Sequence, residues 1–124
     1  MNANKFVIGI VGPCAAGKSS LVKRLKDSPY EIRHICQEHS YVQDMWRRIS
    51  NPHVLIYLDV SYENTILRKK LNWTFDEYQE QIRRLTHARE HAQLVINTNP
   101  LNEEEVFQQV REYIDSYFNK IDTH

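Results

Sequence analysis

The chain predicts an α/β fold, a small parallel sheet of about four strands with helices on both faces. Short runs such as "FVIGIV" and "VLIYLDV" are continuously apolar, as expected for strands buried on both faces. Segments with helical spacing of apolar residues separate these runs, which favours right-handed crossovers between parallel strands. The 124 residues suit one core and are too few for two ordinary domains, so we expect a single domain over residues 1–124.

Composition indicates a folded protein without a strong overall field. Hydrophobic residues make up 41% and charged residues 26% of the chain, and 16 basic residues balance 16 acidic ones. This balance predicts neither nucleic acid nor a membrane as a partner.

The apolar run from Phe6 is too short to span a bilayer and no signal peptide precedes it, so we expect a cytoplasmic protein. We expect Cys14 and Cys36 to be reduced thiols, with Cys36 packed in a strand.

The first half of the chain predicts two strands and two helices. "KFVIGIV" from Lys5 is the first strand, and a helix begins at Lys18 with Leu21, Val22 and Leu25 on one face. "YEIRHICQEHSY" predicts a second strand that ends near Gln37, with Ile32, His34 and Cys36 on one side and Arg33 and Ile35 on the other. A short helix over about residues 42–49 is expected to follow.

The second half predicts two further strands and three helices. "VLIYLDV" and "LVIN", which start at Val54 and Leu94, are the strands. The expected helix caps are Ser61, Thr74 in a capping box with Glu77, and Asn102 before three glutamates. The expected apolar stripes are Ile66, Leu67 and Leu71; then Phe75, Tyr78, Ile82, Leu85 and Ala92; and finally Val106, Val110, Ile114 and Tyr117.

The stretch "GPCAAGKS", residues 12–19, fits the phosphate-binding pattern G-x-x-x-x-G-K-[ST] without a mismatch. It follows a buried strand and opens a helix, which is the context that the pattern requires. Lys18 would bridge the β and γ phosphates of a nucleoside triphosphate, and the Ser19 hydroxyl would ligate Mg²⁺. The alternative is a glycine-bearing turn that binds nothing. The pattern predicts a three-layer P-loop NTPase fold that binds ATP and Mg²⁺ through Gly12, Pro13, Cys14, Ala15, Ala16, Gly17, Lys18, Ser19 and Ser20.

Phosphoryl transfer also needs a carboxylate near the metal or the nucleophile. Glu38 and Asp59 both end predicted strands. Asp59 resembles a Walker B aspartate, because an acid after an apolar strand is expected beside the loop lysine. The alternative is an exposed aspartate at a strand end. Both acids are therefore predicted as catalytic residues and, with Ser19, as metal ligands.

The stretches "IGIVGPCAAGKSSLVKRL" and "HICQEHSYVQDMW" together resemble the opening of the uridine kinase group of P-loop nucleoside kinases. Gln37, Glu38 and Tyr41 fall on that group's Gln-Asp motif and following aromatic residue, with glutamate in place of aspartate. The resemblance implies that Glu38 orients or deprotonates an acceptor hydroxyl, or holds the metal through water. "VLIYLDVSYENTILRKKL" and "REHAQLVINTNPLNEEEV" resemble later parts of P-loop kinases, which implies that Asn97, Thr98 and Asn99 border the base.

Basic residues concentrate between Arg68 and Arg89, where P-loop kinases carry a lid. A guanidinium over the γ-phosphate would stabilise the transition state, so Arg68 and Arg84 are predicted as catalytic. The alternative is a solvated helix face balanced by Asp76, Glu77, Glu80 and Glu90. The basic set is Arg68, Lys69, Lys70, Arg83, Arg84 and Arg89.

Two departures from the kinase pattern leave the activity open. Only residues 39–53 separate the Glu38 motif from the next strand, and the Arg-Asp lid signature is absent. The leading expectation is a small kinase that transfers the γ-phosphoryl group of Mg-ATP to a nucleoside or small metabolite. The alternatives are a switch or slow ATPase that acts through a protein partner, and a reduced relative that completes its site as a homodimer. "INTN" lacks the Asn-Lys-x-Asp motif of GTP-specific switches, which favours ATP.

The stretch "HAREH", His87 to His91, fits the inverted zinc-protease pattern H-x-x-E-H on a predicted helix. Zinc would need a third protein ligand, and no further motif supplies one. We expect these histidines to lie on a solvent or lid face.

Overall fold

The computed structural model describes residues 6–69 and 72–122. Within them, the sheet has four strands, β1 (Val7–Val11), β2 (Glu31–His34), β3 (Val54–Asp59) and β4 (Leu94–Asn97), in the order β2-β1-β3-β4. All three pairings are parallel. The predicted α/β fold with a four-stranded parallel sheet is confirmed. Lys5, which the sequence places in the first strand, lies outside the described residues.

The connections between strands are helical. Six α-helices are described: α1 (Lys18–Arg24), α2 (Met45–Ile49), α3 (Tyr62–Lys69), α4 (Phe75–Arg84), α5 (Thr86–His91) and α6 (Glu103–Asp122). A 3₁₀ turn, Gln37–His39, follows β2. None of the helices in the described ranges combines the length and the apolar composition that crossing a membrane requires.

The sheet buries both of its faces, as its apolar strands predict. One face packs against α1 with the Leu25 that follows it, and against α6; the buried residues are Leu21, Leu25, Val106, Val110 and Ile114. The other face packs against α2, the α4–α5 junction and α5 through Trp46, Leu85 and Ala88. Alternate residues of each strand enter the two clusters: Ile8, Ile10, Ile56, Leu58 and Ile96 enter the first, and Val11, Leu55 and Tyr57 the second.

Helix starts follow the capping residues in the sequence. Thr74 and Glu77 form both hydrogen bonds of a capping box at the start of α4. Asn102 Oδ1 accepts a 2.8 Å hydrogen bond from the Glu105 amide at the start of α6, and Ser61 Oγ accepts one from the Asn64 amide at 3.3 Å. These predictions hold because a cap depends on residues three or four positions apart, whatever the rest of the fold.

The segment after β2 differs from the prediction. β2 ends at His34, and the chain enters the 3₁₀ turn, so the expected alternation stops. Ile35 is buried and Cys36 is exposed, which makes the prediction of a packed Cys36 wrong. Both cysteines are free, as expected. The short helix α2 begins at Met45, later than the expected start.

Two predicted apolar stripes are partly wrong. Leu67 is 75% and Phe75 49% exposed, whereas the polar Thr65 is fully buried. The buried hydroxyl of Thr65 has hydrogen-bond partners, because Oγ1 donates to Tyr62 O at 2.6 Å and accepts from Trp73 Nε1 at 2.9 Å. The single helix expected after Thr74 is two helices that meet at the buried Leu85. Leu71 and Lys70 lie outside the described residues.

Gln37 anchors the 3₁₀ turn to two helices. Its side chain is 1% exposed; Nε2 donates to Val42 O and Arg84 O at 2.8 and 3.2 Å, and Oε1 accepts from Trp46 N at 2.8 Å.

We expect Gln37→Leu to lower the free energy of unfolding by about 2–4 kcal/mol in urea titrations, because backbone groups lose buried partners. Gln43→Leu is the matched control: Gln43 also bonds backbone groups, but in exposed positions that water can reach. Equal losses in the two variants would contradict the interpretation.

Candidate functional site

The glycine loop, residues 12–19, connects β1 to α1 at the carboxyl end of the sheet. A Cβ on Gly12 would lie 2.3 Å from the carbonyl oxygen of Leu58, so the loop passes too close to β3 for any side chain. Gly17 has a φ of +99° and caps α1 with no side-chain hydrogen bond. Both glycines of the pattern therefore have a positive φ, +155° at Gly12 and +99° at Gly17, and Gly12 alone also approaches a backbone atom too closely for a side chain.

Lys18 and Glu38 form a buried ion pair beside this loop. Lys18 is 7% and Glu38 3% exposed, and Lys18 Nζ lies 3.0 Å from Glu38 Oε2. Lys18 Nζ also donates to Gly12 O at 2.6 Å and Pro13 O at 3.1 Å. The pairing follows from topology, because β1 and β2 are parallel neighbours and Lys18 and Glu38 come after their carboxyl ends.

The second carboxylate oxygen of Glu38 has no partner. Oε1 is buried and accepts no hydrogen bond. A buried acceptor without a donor costs free energy, and in native proteins it calls for an explanation such as a ligand or a catalytic role. This oxygen lies in the residue that the sequence predicts as the acidic partner of phosphoryl transfer.

A cavity of about 750 Å³ opens over the glycine loop, within the size range of small-molecule sites. It lies at the carboxyl ends of the strands, where open parallel sheets bind ligands. Its lining includes seven predicted nucleotide-binding residues, from Cys14 to Ser20, together with Glu38, Arg68 and Thr98. Gly12 and Pro13 do not line it, but their carbonyl oxygens hold Lys18.

Arg68 bridges the glycine loop and the end of β4. Its guanidinium donates to Thr98 Oγ1 at 2.9 Å, to Thr98 O, and to Ala15 O at 3.4 Å. Thr98 is buried and its Oγ1 donates to Asp59 O at 2.7 Å. The structure thus brings Arg68, a predicted catalytic residue, to the wall of the cavity.

Asp59 does not take the place that the sequence predicts. The carboxylate beside Lys18 belongs to Glu38, whereas Asp59 accepts from Val60 N at 3.0 Å and lies 3.5 Å from Arg89. Asp59 is absent from the cavity lining. The physical reason is that the 3₁₀ turn after β2 directs Glu38 inward, while Arg89 of α5 neutralises the acid at the end of β3.

Arg84 is also outside the cavity lining. It pairs with Glu80 at 3.0 Å, donates to Glu38 O at 3.3 Å and stacks 4.2 Å from the ring centre of Tyr41. Arg83 pairs with the same Glu80. Glu80 therefore balances both arginines, as the alternative expects; Arg83 is exposed, whereas Arg84 is largely buried and reaches Glu38 only at its backbone carbonyl oxygen.

Of the three residues expected to border a base, only Thr98 lines the cavity. Asn99 Oδ1 instead accepts from Ser61 N and Asn64 Nδ2 at 3.0 and 2.8 Å, and Asn97 accepts from Asn99 N at 3.1 Å. Leu101 and Asn102 line the cavity in their place. The reason is that α6 packs across the sheet and carries its N-terminal residues over the end of β4.

Gln81 is a site residue that the sequence analysis missed. It is 8% exposed; Oε1 accepts from Cys14 N at 3.0 Å, and Nε2 lies 3.2 Å from Cys14 Sγ. This side chain attaches α4 to the glycine loop. The sequence does contain one indication of this role: Gln81 lies on the same helix face as Tyr78 and Leu85, where a polar residue stands within the predicted apolar stripe.

His87 and His91 serve packing and hydrogen bonding. Their rings stack at 4.1 Å; His87 Nδ1 accepts from Trp46 Nε1 at 3.1 Å, and His91 Nδ1 lies 2.8 Å from His87 O. In the described part of the chain, neither histidine belongs to a cluster of three potential metal ligands.

His34 lines the cavity, and its pKa is lowered by burial of the ring and by the nearby Lys18 charge, which Glu38 partly opposes. Because the unfolded chain then binds more protons, stability is expected to fall as pH drops from about 6.5 through the folded pKa.

We expect Lys18→Met to raise the pKa of His34 in an NMR titration. An unchanged or lower pKa in this variant would show that Lys18 does not act on the ring.

Comparison with the models of known protein families finds no match for this chain, and comparison with curated proteins finds no significant match.

Proposed function

We propose that this chain has a P-loop NTPase fold, binds Mg-ATP on the glycine loop and transfers the γ-phosphoryl group to a small hydroxyl compound. The observation that carries the proposal is the buried Lys18–Glu38 pair, placed on a loop of the phosphate-binding pattern at the wall of a ligand-sized cavity. A loop lysine and an acid near the metal or the nucleophile are recurring parts of phosphoryl-transfer sites.

The residues present fit a triphosphate and its metal ion. Gly12 keeps the loop backbone close to β3, where a Cβ would clash. Lys18 Nζ now bonds two loop carbonyls, and these are interactions that phosphate oxygens can replace. Ser19 would ligate Mg²⁺, with Glu38 nearby, and the metal would neutralise phosphate charge when bound. Residues 12–20 are the proposed phosphate-binding segment.

Glu38 is proposed to act as the base. Its Oε2 holds Lys18, and its Oε1 has no hydrogen-bond partner. In the transfer, the acceptor oxygen forms a bond to the γ-phosphorus, the bond to the β-phosphate oxygen breaks, and the hydroxyl proton moves to Oε1. The products are the phosphorylated acceptor and a nucleoside diphosphate.

The remaining cavity walls are proposed to divide between the two substrates. Arg68 and Thr98 join the loop to the end of β4, which supports a nucleotide-positioning role for them. His34 and His39 line the cavity with Glu38. These polar groups favour a small hydrophilic acceptor.

A nucleotide-dependent switch is the second candidate. It is favoured by Tyr41, which is 83% exposed only three residues after Glu38, and by the exposed Ile49. An exposed aromatic side chain so close to the acid in sequence would let a protein partner sense the occupied site. In this case the chain would hydrolyse ATP slowly without phosphorylating a small compound.

The test is turnover of γ-labelled ATP with Mg²⁺ against a panel of nucleosides and small hydroxyl metabolites. We expect Lys18→Ala to lower transfer by about 10²–10³-fold, as for loss of one preorganised charge-stabilising group. Ser19→Ala tests the exposed metal-ligand position with little risk to the fold. Lys23→Ala, an exposed lysine of the same helix, is the matched control.

Each outcome decides between the candidates. Transfer to one acceptor, lost in Lys18→Ala and kept in Lys23→Ala, would support the kinase. ATP binding with slow hydrolysis and no transfer would favour the switch. ATP binding that is equally strong in the wild type, Lys18→Ala and Ser19→Ala would refute the proposed site.

A further inference from the structure

We propose that Cys14, Glu38 and His39 form a binding site for a divalent transition metal, with zinc as the best match. Their potential ligand atoms, a thiol sulfur, a carboxylate oxygen and an imidazole nitrogen, all lie within 4.8 Å of one another. In the described part of the chain, no other three Cys, His, Asp or Glu residues bring their potential ligand atoms this close together. The site is proposed for the chain without nucleotide and stands whether or not the chain transfers phosphoryl groups.

The donor set selects the metal. Thiolate and imidazole ligands suit zinc and disfavour Mg²⁺, which prefers oxygen. Zinc bonds of about 2.0–2.3 Å in a tetrahedron separate the ligand atoms by about 3.3–3.8 Å. The 3.7 Å between His39 Nε2 and Glu38 Oε2 already falls in this range, and separations of up to 4.8 Å elsewhere in the cluster must shorten by up to about 1 Å. Three protein ligands would leave the fourth position open to the cavity.

The buried carboxylate supplies a second, independent reason. Glu38 is 3% exposed and its Oε1 has no partner, while Oε2 is held by Lys18. A metal ion bound at Oε1 would satisfy the orphaned oxygen and leave Oε2, which lies 3.7 Å from His39 Nε2, paired with Lys18. The side chain is also fixed in place, which reduces the entropy lost on binding.

Cys14 and His39 are placed to complete the site. Gln81 holds both the amide and the sulfur of Cys14 from α4. His39 is adjacent to Glu38 in the 3₁₀ turn, and its Nε2 lies 3.7 Å from Glu38 Oε2. Both residues also line the cavity, so a metal ion has an open path from solvent.

The experiment titrates the full reduced chain with Co²⁺, without nucleotide, and follows the near-ultraviolet absorption of a cobalt–thiolate bond. We expect one equivalent of Co²⁺ to produce the band, and one equivalent of Zn²⁺ to remove it. Cys14→Ser should abolish the band, and His39→Asn should weaken binding by at least about tenfold, the lower end of what even an outer-shell partner contributes.

Cys36→Ser is the matched control, because Cys36 is a second free cysteine that lines the same cavity. The proposal requires the band to persist in this variant. It is overturned if no thiolate band forms, if the band depends on Cys36, or if His39→Asn binds as tightly as the wild type. His39 is exposed, so this last variant tests the site without disturbing the buried ion pair.

Discussion

Glu38→Gln is expected to lower the free energy of unfolding by about 3–5 kcal/mol, because it leaves the ammonium group of Lys18 buried without its counter-ion. Lys18 and Glu38 are 7% and 3% exposed and lie 3.0 Å apart. The hydrogen bonds of Lys18 to the carbonyl oxygens of Gly12 and Pro13 would remain, and these bonds place the expected loss toward the lower end of the range.

A double-mutant cycle separates this pair from its surroundings. Lys18→Met should also destabilise the chain, since it leaves the buried Glu38 carboxylate with only the exposed His39, whose Nε2 lies 3.7 Å from Oε2. The variant with both changes should be more stable than the sum of the single losses predicts, by about 1–3 kcal/mol of coupling. Urea unfolding at neutral pH measures all four proteins. Losses that simply add would show that the two charges do not stabilise each other.

Gly12→Ala is expected to lower the free energy of unfolding by about 3 kcal/mol or more, within the range that strain and overpacking reach. The new Cβ would lie 2.3 Å from the carbonyl oxygen of Leu58, and this backbone atom belongs to the central strand β3. Because β3 pairs with β1 on one side and β4 on the other, Leu58 cannot shift away without disturbing sheet hydrogen bonds. Thermal and urea unfolding would measure the loss.

Gly17→Ala is the control within the same loop. A Cβ there would meet nothing within 4 Å, although the φ of +99° still disfavours a side chain. Its cost should be about 1–2 kcal/mol, from backbone conformation alone. The interpretation fails if Gly17→Ala costs as much as Gly12→Ala, since close approach would then play no part.

Two energetically costly features lie at the wall of the cavity over the glycine loop. Ala15 has a φ of 68°, unusual for a residue with a side chain, and Glu38 buries an unpartnered oxygen. Such features persist where the surrounding structure enforces them, and they cluster at functional sites. Their convergence beside one cavity supports a ligand-binding role for this end of the sheet.

The sequence by itself determined the features that depend on near neighbours. The continuously apolar runs at Val7 and Val54 predict strands buried on both faces, and burial alone sets that pattern. The capping residues Thr74 and Asn102 predict helix starts because their hydrogen bonds span only three residues. The glycine spacing likewise predicts where the loop needs an unusual backbone.

Tertiary structure alone decided which side chains meet in the site. Glu38 rather than Asp59 faces Lys18 because of a 3₁₀ turn and an arginine from α5, two features that lie far apart in the chain. Gln81 reaches the loop because the chain divides α4 from α5 and packs α4 against the turn after β2. Such contacts depend on how separate elements pack across the sheet, and local periodicity carries no information about that packing.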